Sequence, residues 1–197
     1  MNLAEDPRAA GEIRRYHTWA IHRDQSVGEH TWQVLRILLT VWPAAPRNVV
    51  VYGLMHDGGE MSGDIQYPFK KLFPELRAGA DKAENYVRDM QRKGIGAPDI
   101  RHPLSPFEQA VFKACDNLEM WEFGMRELNM GNQYAKIVCN RMQTALSHNM
   151  HLIESMSDIA QYKQNEGVPK AIHRYMMKRS EMEDIDRNFV TEEYDGK

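Results

Sequence analysis

A chain of 197 residues with 42% hydrophobic and 27% charged side chains has the size and mix of one globular domain, which excludes a disordered or fibrous protein. A formal net charge of −3 offers no global field to hold a nucleic-acid duplex or an anionic bilayer. The most apolar stretches, 34–42 and 49–55, fall well short of the ~20 residues that span a membrane. Two cysteines, Cys115 and Cys139, are too few for a disulfide framework. With no apolar leader near the first residue, the expectation is a reduced, cytoplasmic protein.

The hydrophobic pattern is helical nearly throughout, with no run of strict alternation, so the expected fold class is all-α in a single domain. A first helix is expected over about 4–15. A second starts at Ser26, where Ser26-Val27-Gly28-Glu29 has the form of a capping box, and it stops at Pro43. Its apolar face reads Val27, Val34, Ile37, Leu38, Val41. A third follows Pro46 and ends at the pair Gly58-Gly59.

After an irregular stretch (60–73), the span from Phe73 to Lys93 reads as a surface helix, followed by a breaker-rich loop over 94–106. Ser105-Pro106-Phe107-Glu108 is a second capping box, with proline at the first helical position. The helix behind it carries Phe107, Val111, Cys115, Leu118 and Met125 on one face. Helical signal resumes over about 133–162, and one more helix is expected around 169–183 with disorder beyond it.

Four residues carry the chemistry as a set. His30 lies on the apolar stripe of the second helix, where a lone histidine is ordinarily a core residue, and His56-Asp57 alone is a common dipeptide. Asp116 sits mid-helix beside Phe112, Cys115 and Leu118, and a carboxylate there is costly unless something pairs with it. Together, two imidazoles and two carboxylates form a mixed nitrogen–oxygen donor set. Such a set suits Zn²⁺, Mn²⁺, Fe or Co²⁺ with positions left for water, and a cation would neutralise the buried aspartate.

The order His30 … His56-Asp57 … Asp116 resembles the HD-domain metal-dependent phosphohydrolases. Their helical bundle holds one divalent metal through such a set. From Arg15 the chain reads RYHTWAIHRDQSVGEHTWQV, and from His56 it reads HDGGEMSGDIQYPFKK. These segments are similar to the bacterial HD-domain 5′-deoxynucleotidases and, more closely, to the phage HD-domain dATP triphosphohydrolases. The bacterial relatives carry an Arg-aromatic pair, here Arg15-Tyr16, ahead of an S-E-H motif, here Gly28-Glu29-His30 with the first position changed. They also carry H-D-x-x-E followed by G-D, matched by His56, Asp57, Glu60, Gly63 and Asp64. The resemblance covers about 15–128. It implies an HD domain over 1–163, followed by a charged, partly helical tail over 164–197.

The resemblance implies a hydrolase acting on a deoxyadenosine nucleotide, dATP first, releasing deoxyadenosine and tripolyphosphate. A 5′-deoxynucleotidase acting on monophosphates and a less specific triphosphohydrolase are the alternatives. His30, His56, Asp57 and Asp116 would hold Zn, Co or Mn, and Mg²⁺ can join on the triphosphate. A metal so held lowers the pKa of bound water from about 15.7 towards ~7. Glu60 would orient that water or protonate the leaving 5′-oxygen, and the Gly58-Gly59 pair would let backbone approach a ligand. Asp64 matches the family residue that takes the sugar 3′-hydroxyl, or it helps bind Mg²⁺.

Arg15 would clamp phosphate with its planar fork. Lys70 and Lys71 would reach the β- and γ-phosphates, or else form an ordinary solvated face. Trp19 and Ile21 would select adenine by excluding a 2-amino group, or else only anchor their loop. Gln66 joins the substrate contacts, and Tyr67-Pro68 would offer a stacking surface. Glu29 reads as a structural partner of Ser26. His148 and His151, three apart on a late helix, read as exposed or capping residues ahead of a metal pair. Relatives of this type assemble as homo-oligomers, dimers or a hexamer, with Trp42, Trp121 or the methionines available to line contacts. The biological implication is depletion of dATP from the precursor pool of a host cell's cytoplasm.

Overall fold

A computed structural model describes residues 6–16, 19–62, 72–94, 104–157 and 159–193. The protein is all-α. The helices are α1 (Pro7–Gly11), α2 (Val27–Val41), α3 (Arg47–Met55), α4 (Pro74–Gly94), α5 (Pro106–Asn129), α6 (Ala135–Ser157) and α7 (Gly167–Glu193). Among the described residues, the 3₁₀ segments Gly58–Ser62 and Ala160–Asn165 lie between helices. Among the described residues the β-structure is a single isolated antiparallel bridge, Arg14 to Ser26. Backbone packing divides the chain into two compact units, Met1–Leu35 with Pro46–Pro103, and Arg36–Ala45 with Leu104–Lys197.

The first unit departs from the sequence expectation at its start. The helix expected over 4–15 is only α1, capped by Asp6, whose Oδ1 accepts from the Arg8 N–H at 3.0 Å. It stops at Gly11 because the next residues pair in extended form with the entry to α2. Val27 N donates to Ile13 O at 2.8 Å and Arg15 N to Gln25 O at 2.8 Å. That pairing closes residues 13–27 into a loop and pins Arg15 beside the start of α2. Ser26 caps α2 through the Glu29 N–H at 3.1 Å, while the Glu29 carboxylate turns to Arg23. The reciprocal half of the expected capping box is thus given up to an ion pair.

Gly58 and Gly59 have a tertiary role. A Cβ on Gly58 would lie 2.4 Å from Gln91 Oε1, and one on Gly59 would lie 2.6 Å from the Glu84 carbonyl. The two glycines let the 3₁₀ segment lie directly against α4, a packing role that the sequence alone did not suggest. Ala80, Glu84, Val87 and Gln91, spaced by fours and threes, form the inward face of α4, on which Ala80 and Gln91 are buried.

The second unit is built on α5. Its capping box is complete: Ser105 Oγ accepts from Glu108 N at 3.3 Å, and Glu108 Oε2 accepts from Ser105 N at 2.7 Å. Gly131, with φ 95°, takes the left-handed turn that ends the helix. Gly124 brings α6 close, since a Cβ there would meet Cys139 Sγ at 2.8 Å. Phe107 is fully buried, edge-on to Trp42 with ring centres 5.7 Å apart and stacked on Tyr162 at 5.0 Å.

The helix expected over 169–183 runs from Gly167 to Glu193, with no glycine or further proline after Pro169 to stop it. α7 packs on α5 and α6. Trp42 and Trp121, expected to be available for contacts with other copies, are buried within the chain and are not offered to a partner. Among the described residues, no helix is long and apolar enough to cross a membrane.

Candidate metal centre

The first unit brings His30, His56 and Asp57 together. His30 projects from the buried face of α2 and is fully buried. His56 is the C-cap of α3, and Asp57 follows it as the chain turns into the 3₁₀ segment. His30 Nε2 and His56 Nε2 lie 3.3 Å apart. Asp57 Oδ2 lies 3.3 Å from the first and 3.4 Å from the second.

Three donor atoms thus form a nearly equilateral triangle. For ligands about 2.1 Å from a tetrahedral ion of the zinc type, the edge between two donors is about 3.4 Å, so the triangle has the dimensions of one face of such a site. The tautomer agrees. His56 Nδ1 is 2.6 Å from the Gly53 carbonyl, which can only accept, so in the neutral ring Nδ1 carries the hydrogen and Nε2 keeps its lone pair. A backbone carbonyl on the far nitrogen is the usual means of orienting a metal-ligating histidine.

Asp116 lies mid-helix on α5 and is 7% exposed. Lys113, one turn earlier, reaches its Oδ2 at 2.6 Å. Burial raises the pKa of the neighbouring Cys115 thiol, and the Asp116 charge adds to the rise. Asp116 belongs to the second unit, while His30, His56 and Asp57 belong to the first. The donor chemistry of the predicted four, two imidazoles and two carboxylates, fits a divalent transition metal.

Arg15 is placed differently from a free phosphate clamp. Its guanidinium forms an ion pair with Asp57 Oδ2, the same oxygen that faces the two imidazoles, and Nη1 lies 3.7 Å from Glu60 Oε1. It gathers the two carboxylates into one cluster. Tyr16 sets its direction from the next position, with φ 58°, a left-handed conformation rare outside glycine. The Tyr16 ring lies 5.5 Å below the guanidinium and 5.9 Å from the Trp19 ring. Trp19 and Ile21 are half-buried in this loop. Asp64, Gln66, Tyr67, Pro68, Lys70 and Lys71 lie outside the described residues. His148 and His151 are exposed on α6.

The sequence reading missed the carboxylate pairing of Arg15, for which no local spacing gives a signal, since 42 positions separate it from Asp57. It missed Gln91 as well, although its place on the one inward face of a polar helix was a usable cue. Compared with models of known families and with curated proteins, the chain matches none.

Proposed function

We propose that the protein is a metal-dependent phosphohydrolase of the HD type, acting on a deoxyadenosine nucleotide and converting dATP to deoxyadenosine and tripolyphosphate. The observation that carries this reading is the triangle of His30 Nε2, His56 Nε2 and Asp57 Oδ2, with edges of 3.3–3.4 Å and the His56 lone pair turned inward. Together with Asp116, these side chains would hold one ion of Zn, Co or Mn. Such an ion supplies Lewis acidity at the α-phosphate and lowers the pKa of water towards ~7.

The chain's own residues do the rest. Glu60, a carboxylate held beside Arg15, would take a proton from the water that attacks the α-phosphorus and pass it to the 5′-oxygen as the bond from phosphorus to that oxygen breaks. Arg15 has five N–H donors in a planar fork. With Nη1 on Asp57 and Glu60, it would turn this fork to a phosphate that enters the cluster. Asp64 would take the 3′-hydroxyl. Gln66, Tyr67 and Pro68 would line the sugar and base, Lys70 and Lys71 would meet the outer phosphates, and Mg²⁺ can join there. Trp19 and Ile21 would exclude a 2-amino group. The same reading carries a homo-oligomer, a dimer or a hexamer, that depletes dATP in a host cell's cytoplasm.

The test is a panel of ribo- and deoxynucleotides as mono-, di- and triphosphates, with Co²⁺, Zn²⁺ or Mn²⁺ added and products resolved by chromatography. Deoxyadenosine and tripolyphosphate from dATP is the expected outcome. Phosphate from dAMP alone makes it a 5′-deoxynucleotidase, equal turnover of dGTP removes the role of Trp19 and Ile21, and no turnover of any nucleotide overturns the reading.

A further inference from the structure

One oxygen in the first unit is claimed twice. Asp57 Oδ2 closes the triangle with His30 Nε2 and His56 Nε2, at 3.3 Å and 3.4 Å, and Arg15 Nη1 is paired to the same oxygen. Of the three donors only Asp57 is an acid, and the guanidinium takes that charge. Glu60 Oε1 lies 3.7 Å from the same Nη1, so one cation serves both carboxylates beside the imidazoles.

The chain holds Arg15 there from two directions. Its backbone N–H donates to Gln25 O at 2.8 Å, which ties it to the entry of α2. Tyr16, buried and left-handed at φ 58°, places its ring 5.5 Å from Arg15 Cζ. The Arg15 side chain is 11% exposed, so water and salt screen its pair with Asp57 far less than a surface pair. A guanidinium cannot shed its charge in a protein. It leaves Asp57 only by exchanging that carboxylate for another anion, and a phosphate fits its fork as well as a carboxylate does.

We propose that Arg15 gates the metal centre: its guanidinium competes with the divalent ion for Asp57 Oδ2, and a phosphate group that draws the guanidinium away frees that oxygen for the ion. The inference rests on the hydrolase reading and adds a linkage to it. Phosphate and metal each tighten the binding of the other, by the same factor. A nucleoside without phosphate leaves Arg15 on Asp57 and gains nothing from the metal.

Co²⁺, whose visible absorption reports its ligands, is titrated into the full-length protein and into Arg15→Met, with and without methylphosphonate as an uncleavable phosphate mimic. Arg15→Met is expected to bind Co²⁺ about tenfold tighter than the parent, within the usual range of coupling between two ligands. Damage to packing would weaken binding instead. Methylphosphonate should tighten Co²⁺ about tenfold on the parent and clearly less on the variant. Should Arg15→Met not fold, ¹⁵N NMR of the unaltered protein decides. The Arg15 Nη signals, resolved while carboxylates hold the guanidinium, should merge as Zn²⁺ shifts Nε2 of His30 and His56. Equal or weaker Co²⁺ binding by the variant, equal tightening by methylphosphonate, or unmoved Arg15 signals in the zinc-loaded protein overturns this proposal and leaves the hydrolase reading standing. No metal bound at the imidazoles in either protein overturns both.

Discussion

Glu60 and Gly59 show how one side chain, or the lack of one, is fixed by its surroundings. In the proposed reaction Glu60 is the carboxylate beside Arg15 that carries a proton from the attacking water to the leaving oxygen. Glu60→Ala is expected to lower kcat by about 10²–10⁴, the usual worth of a positioned acid, with little change in metal content measured by atomic absorption. An unchanged kcat removes Glu60 from the chemistry. His56→Ala takes away a corner of the triangle and should lose bound metal and activity together. The glycines divide by what a new methyl would strike. On Gly59 it meets the Glu84 backbone, which cannot move without shifting α4; on Gly58 it meets the end of the Gln91 side chain. Gly59→Ala should therefore destabilise by about 3 kcal/mol and Gly58→Ala by about 1 kcal/mol, the range for overpacking a tight contact. Equal urea midpoints for the two variants would contradict that account. From sequence the double glycine was visible, but its cause was not. Whether a ligand or a helix needs the space depends on residues 84–91, some 25 positions further on.

At the scale of the element, what could be read in advance was whatever depends on neighbours within a turn or two. The Ser105 capping box, with Pro106 behind it, forms as its letters suggest because each bond joins residues three apart. Ser105→Ala leaves the Glu108 N–H without its acceptor and should cost about 1 kcal/mol, seen as a lower urea midpoint with an unchanged slope. Ser26→Ala should cost less. The Glu29 carboxylate there is bound to Arg23, so only one of the two bonds of a full box is lost. The failure at α1 has the same root. Residues 12–15 have adequate helical letters, yet tertiary pairing with residues 25–27 outweighs a few tenths of a kcal/mol of propensity per residue. For the candidate centre, the letters identified His30, His56 and Asp57 because the three donors are few and chemically distinctive. They could not place Arg15 on Asp57, since that depends on how the loop over 13–27 closes.

At the scale of the whole molecule, the clearest lever on stability is a buried acid in the second unit. Glu122 of α5 is 4% exposed and is met by three groups. The Tyr175 hydroxyl donates to its Oε1 at 2.6 Å, Arg179 Nε lies 3.1 Å from the same oxygen, and Arg36 Nη2 donates to Oε2 at 3.4 Å. Burial, and then the bond to Glu122, push the Tyr175 phenol up to about 12, although the Arg36 charge pulls the other way. In the unfolded chain a phenol titrates near ~10. Between those two values the unfolded state has released a proton that the native state retains, so stability falls as pH rises. The contribution is complete below about pH 10 and gone above about 12. Because the ring is only part-buried, solvent screening reduces it to the order of 1 kcal/mol. Tyr175→Phe should be less stable than the parent by about that much at pH 8, with the gap closing between pH 10 and 12 in paired urea titrations. Lysines and the other tyrosines titrate in both proteins and cancel in the difference, so a gap that stays constant to pH 12 would show that the hydroxyl acts through packing and not through its proton.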